Sequence, residues 1–165
     1  MRRHAYLLFP LLLVAVTAYI VVTTGSLPER VASHFGPDNF PNGWMPRASY
    51  LTLMLLFAVL FPIVLAVVVG FLPRVAAFTI NIPHPAYWLA PQRRDDTLAT
   101  LAAQGCWLGA LISAFVAVAH HAILEANAAV PARLSSGLFW LLVVGFVAAT
   151  VLWAGALYLR FHRLR

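Results

Sequence analysis

Two small groups of polar side chains carry the types that could do chemistry. His120, His121 and Glu125 fall in "AHHAILEA", and His34 and Asp38 fall in "SHFGPDN". Imidazole and carboxylate are zinc ligands, and a catalytic zinc needs three of them with a fourth position open. His121 and Glu125 are four apart, hence on one helical face. The HExxH arrangement is absent, and "HHAILE" is a weak pattern. A histidine at the end of an apolar helix ordinarily meets water, a lipid headgroup or a capping partner. A metal-dependent membrane enzyme is therefore the alternative reading, and neither a metal nor a cofactor is assigned. Cys106 is the lone cysteine, inside an apolar run, so it makes no intrachain disulfide and is a poor nucleophile candidate. No Ser-His-Asp order, Gly-rich phosphate loop or catalytic carboxylate pair stands out, so the chain is read as non-enzymatic.

The elements that must position these groups are set by composition. Of 165 residues, 62% are hydrophobic and only 10% charged. A soluble domain is nearer half apolar and a quarter charged, and a core this small cannot hide such an excess from water. Four stretches reach the roughly 20 apolar residues that a span needs: about 5–24, 49–72, 98–124 and 137–158. None carries Asp, Glu, Lys or Arg in its middle. The opening "MRRH" resembles a signal-peptide start, but the apolar run is too long for an h-region and no A-x-A site follows, so it is kept as a span. Pro10 lies early enough in the first span to be tolerated, whereas Pro62 lies mid-span in the second and should kink it. The expectation is an all-α, integral membrane four-helix bundle, with residues 1–165 as a single membrane domain.

Charge gives the sidedness. All basic residues are Arg. With the N-terminus inside, Arg2, Arg3, Arg74, Arg93, Arg94, Arg160, Arg163 and Arg165 lie inside, against Arg30, Arg47 and Arg133 outside. That asymmetry puts both termini in the cytoplasm, in a bacterial inner membrane. The connector at about 25–48 is then extracytoplasmic and the one at about 73–97 cytoplasmic. Tyr6, Tyr50, Trp88, Trp140 and Tyr158 fall near span ends, where amphipathic rings settle. Scattered Arg residues flanking apolar runs are a membrane-edge pattern and exclude a nucleic-acid footprint. Span interiors offer Thr17, Thr52, Gln104, Ser113 and Thr150 but no charge, which argues against a coupled transporter and leaves an oligomeric passive pore as a further alternative. Gly105, Gly109, Ser113 and Ala117 recur every four residues, a stripe that lets another helix approach closely. Packing within the bundle is the favoured use of it. The oligomeric state is left open.

The outer connector, "SLPERVASHFGPDNFPNGW", is unusually specific for its length. Pro28 helps end the first helix. "ERVASHF" is read as a short helical turn on the membrane surface, with Val31 and Phe35 sharing its apolar face. "GPDNFPNG" forces turns: Pro37 and Pro41 fix φ, Gly36 and Gly43 permit positive φ, and Asp38, Asn39 and Asn42 bond nearby backbone. Trp44 re-enters the interface, giving a compact cap.

The order of those residues resembles the extracytoplasmic loop of bacterial SdpI-like membrane proteins, in their N-terminal module of unknown function. Leu27, Pro28, Val31, His34, Phe35, Pro41, Gly43 and Trp44 match its pattern. Ala32 stands where Pro is usual, Asn39 for Gly, Asn42 for Asp and Arg47 for Lys. The likeness covers the first two spans and their loop, and the C-terminal module of the full SdpI architecture is not recognised. The namesake of the family is an immunity and signalling protein against a secreted toxin. The resemblance implies a small inner-membrane accessory protein, with His34, Phe35, Asp38, Trp44, His121 and Glu125 as candidates for binding a secreted peptide toxin or envelope ligand.

The inner connector "NIPHPAYWLAPQRRDDTLATL" looks like that of shorter family members with an Asn-x-Pro…Tyr-Trp…Arg-Arg signature. Pro91 suits a first helical turn, and Asp95 and Asp96 suit the positive end of the dipole. Arg93 and Arg94 can meet lipid phosphates. Trp88, Arg93 and Arg94 are the candidate docking residues for a cytoplasmic regulator.

Overall fold

The computed structural model describes residues 2–76 and 80–164. Among the described residues four helices are long and apolar enough to cross a membrane: α1 (Arg2–Thr24), α2 (Arg47–Val75), α4 (Pro91–Ala128) and α5 (Ser136–His162). A single turn, α3 (Pro85–Trp88), precedes α4. The fold is an all-α bundle, consistent with a multi-pass membrane protein. Among the described residues the one sheet is an antiparallel hairpin, β1 (Arg30–Phe35) with β2 (Pro41–Pro46).

The hub is α4, which packs against α1, α2 and α5. At 1.5 Å per residue its 38 residues run about 57 Å, well beyond a hydrocarbon core of about 30 Å. It is longer than the apolar layer is thick, and its two end regions carry the polar clusters around Arg93 and Asp96 and around His120 and Asn127. From α1, Ala5, Phe9, Leu13, Val16, Ile20 and Thr24 are buried, a stripe at spacings of three and four. The other faces carry exposed Leu7, Leu11, Val14 and Val22, apolar side chains suited to lipid rather than water.

The small-residue stripe serves packing inside the bundle. A Cβ on Gly105 would lie 3.1 Å from the Val69 side chain, and one on Gly109 would lie 2.9 Å from the Phe9 ring and 3.1 Å from the Pro62 carbonyl oxygen. These glycines let α4 approach the backbone of α2 closely and leave room for the Phe9 ring of α1.

Pro62 is absorbed rather than left as a simple kink. The five residues Leu56–Leu60 form a π turn, and the Phe61 N–H reaches back to the Leu56 carbonyl. Pro62 has no N–H for the carbonyl of Ala58, four residues earlier. Ser113 supplies the missing donor from α4: its hydroxyl donates to the Ala58 carbonyl at 2.6 Å. The stripe's one hydroxyl thus repairs a backbone break in its neighbour, as irregular backbone at membrane depth demands.

Two expectations about the connector are corrected. Residues 30–35 form a strand, not a helical turn, so Val31 and Phe35 share no helical face; Val31 is buried with Leu27 and Tyr50 beneath the hairpin. Positive φ is supplied by Asn39 (φ 65°) and by no described glycine. Asn tolerates this left-handed conformation through its short polar side chain. Gly36 and Gly43 supply space instead: a Cβ at Gly43 would sit 3.1 Å from the His34 Cβ, and one at Gly36 would sit 2.8 Å from the Asp38 carboxylate.

Candidate functional site

At one end of the bundle the hairpin is clamped to the helices by polar side chains. The Asn127 side chain, near the end of α4, treats Ala32 as a neighbouring strand would. Its Oδ1 accepts from the Ala32 N–H at 2.9 Å, and its Nδ2 donates to the Ala32 carbonyl at 2.9 Å. The free edge of β1 is thereby closed without a third strand. From the first turn of α2, the Arg47 guanidinium donates to the Leu27 carbonyl at 2.9 Å and to that of Gly25 at 3.2 Å, fastening the chain as it leaves α1. The tip is tied as well: the Leu134 N–H donates to the Asn39 carbonyl at 3.0 Å, and the Arg133 guanidinium lies 5.3 Å over the Phe40 ring. Opposing register slips around His34 bulge the strand there.

Beneath the hairpin lies a buried polar knot that sequence reasoning placed elsewhere. His120 is 0% exposed. Its Nε2 lies 2.8 Å from the Thr23 hydroxyl and its Nδ1 lies 2.8 Å from the Tyr50 hydroxyl. The Thr23 hydroxyl has one proton and donates it to the Tyr19 carbonyl at 2.6 Å. It must therefore accept from His120 Nε2–H, which leaves Nδ1 to accept from Tyr50. Tyr50, expected at the lipid interface, is instead 1% exposed and part of this knot. His120 continues the buried row Gly105, Gly109, Ser113, Val116 at helical spacing, whereas the four-residue repeat read in the sequence runs on through Ala117 toward His121.

The six candidate ligand residues divide among separate places. His34 and Phe35 line a cleft of about 350 Å³ between hairpin and helices, floored by Phe115, Ala119, Phe139 and Leu142. Phe35 also borders a more polar crevice of about 460 Å³, with Gly36, Pro37, Asn39 and Trp140. Both share Leu134 and Phe139, so they meet where α5 begins. Asp38 serves the turn, its carboxylate accepting from the Phe40 N–H at 3.2 Å. Trp44 is 52% exposed and lines neither cavity. His121 and Glu125 form an exposed pair at 3.5 Å, with Tyr19 hydroxyl 2.9 Å from His121 Nδ1. Among the described residues no three His, Cys, Asp or Glu side chains gather as a metal-binding group.

At the opposite end the docking candidates also separate. Trp88 Nε1 donates to the Phe161 carbonyl at 2.6 Å and its ring meets the Phe161 ring edge-on, so Trp88 latches α5 to α3. The Thr97 hydroxyl fixes the Trp88 carbonyl at 2.8 Å. Arg94 turns toward the end of α2, where it donates to the Arg74 carbonyl at 3.5 Å. Arg93 lies 4.0 Å over the Tyr87 ring. Arg2 pairs with Asp96, which brings the start of α1 to the same end as Arg160 of α5.

A family model described as a domain of unknown function, DUF1648, matches residues 11–65. That segment holds most of α1, the whole hairpin and α2 past its π turn. No curated protein and no solved structure matches the chain.

Proposed function

We propose that this chain is a non-enzymatic, SdpI-like accessory protein of the bacterial inner membrane, whose hairpin cap binds a secreted peptide toxin or another envelope ligand. The hairpin faces outward and both termini face the cytoplasm, as the Arg distribution favours. The observation that carries the reading is the cleft under the hairpin. His34 and Phe35 form its rim on a strand held rigid by Asn127, while Phe115, Phe139 and Leu142 extend it down the seam of α4 and α5. A polar mouth above an apolar slot suits an amphiphilic peptide, and a pre-fixed rim lowers the ordering cost of binding. The match to DUF1648 is centred on this hairpin and supports treating it as the working part.

The test uses a deletion strain challenged with peptide toxins secreted by neighbouring bacteria. Complementation with the full chain should restore resistance. A His34→Ala, Phe35→Ala double variant with unchanged membrane level and melting temperature should not. Full protection by that variant would refute the reading.

A further inference from the structure

At the end remote from the hairpin, Tyr87, Trp88, Arg93, Asp96 and Arg160 line a pocket of about 270 Å³. We propose that this pocket binds the phosphate of an anionic phospholipid headgroup. Asp96 is already neutralised by Arg2. Among the described residues the ion pairs are Arg2–Asp96 and His121–Glu125, so neither Arg93 nor Arg160 has a carboxylate partner. Arg93 is held against the Tyr87 ring, and Arg160 donates from Nη2 to the neutral Thr100 hydroxyl at 3.3 Å. Two positioned guanidinium groups facing one polar cavity are a fork for phosphate oxygens.

The level in the membrane selects the source. The apolar run of α5 ends at Leu159, one residue before Arg160, and Trp88 and Tyr87 flank the pocket as interfacial aromatics do. A phosphate diester at that depth belongs to the lipid, whose chains would continue along the exposed face of α5. This inference needs the membrane reading but not the hairpin's ligand, since the two sites lie at opposite ends.

The full chain, purified in an uncharged maltoside detergent, is melted by tryptophan fluorescence against phosphatidylglycerol, phosphatidylcholine and inorganic phosphate. Phosphatidylglycerol should raise the melting temperature at lower concentration than phosphatidylcholine. An Arg93→Gln, Arg160→Gln double variant should need about tenfold more phosphatidylglycerol or beyond, the scale of lost charge-assisted contacts. Arg133→Gln, at the other end, should respond like the parent. Should the double variant fail to fold, Arg93→Gln alone, an exposed side chain in the first turn of α4, gives the same test with a smaller shift. An unchanged phosphatidylglycerol response in the folded variant overturns the site. Equal protection by inorganic phosphate overturns the lipid assignment in favour of a soluble phosphate compound.

Discussion

Replacing Asn127 with alanine should loosen the hairpin while leaving the helices in place. The side chain makes two bonds of 2.9 Å to the backbone of Ala32, a residue only 2% exposed. Its third bond, to the Ile123 carbonyl, returns to its own helix and adds little to the clamp. A buried backbone group left without a partner costs about 1–3 kcal/mol. The hairpin is near water, so the lower part of that range applies to each group, and the loss sums to about 2–3 kcal/mol. That corresponds to a roughly 30- to 150-fold rise in the equilibrium for local opening. Hydrogen exchange read by mass spectrometry on peptides covering residues 30–35 should accelerate by that factor. Peptides from the buried middle of α4 should not change. Asn127→Asp is the sharper variant, since it keeps the acceptor for the Ala32 N–H but sets a carboxylate oxygen against the Ala32 carbonyl. It should lose about as much as alanine. Exchange within twofold of the parent in both variants would show that Asn127 does not hold the strand.

Other outcomes follow from the same geometry. His120→Ala strips partners from Tyr50 and Thr23 and opens a cavity, so it should cost about 3 kcal/mol in detergent unfolding, against about 1–2 kcal/mol for Tyr50→Phe. Gly109→Val should cost about 1–3 kcal/mol by driving its side chain into Phe9 and the Pro62 carbonyl, measured the same way. Gly145→Ala, with nothing within 4 Å of its added methyl, should be neutral or gain up to about 1 kcal/mol. Trp88→Phe keeps the ring contact but removes the bond to the Phe161 carbonyl, so it should raise protease sensitivity at the end of α5 while leaving the hairpin's exchange unchanged.

The four long apolar helices were legible because a bilayer demands long apolar runs and little else resembles them. The presence of a turn in "GPDNFPNG" and the Asp38 carboxylate's bond to the Phe40 N–H were legible too, but not that Asn39 rather than a glycine takes the positive φ. The strand was not. Val31 and Phe35 are four apart, a spacing that a helix and an irregular strand can both show, and only the partner strand and Asn127 decide between them. Asn127 itself gave no local sign, because its function depends on a residue 95 positions away. His120 and Tyr50 were misplaced for a related reason. Polar residues near span ends usually face the interface, and their inward rotation is fixed by Thr23 on a different helix. The candidate ligand residues were found as a set in sequence, but folding sends His34 and Phe35 to the cleft, His121 and Glu125 to an exposed helix face, and Asp38 into the turn.

Sidedness of the hairpin is the most direct test, because the proposed ligand reaches the cleft from outside only if the hairpin is there. Single cysteines at positions 42 and 163, in a Cys106→Ala background, are exposed in intact cells to a membrane-impermeant maleimide. Position 42 should label without permeabilisation, and position 163 only after it. Labelling of both in intact cells, or of neither, would contradict an outward-facing cap above cytoplasmic termini.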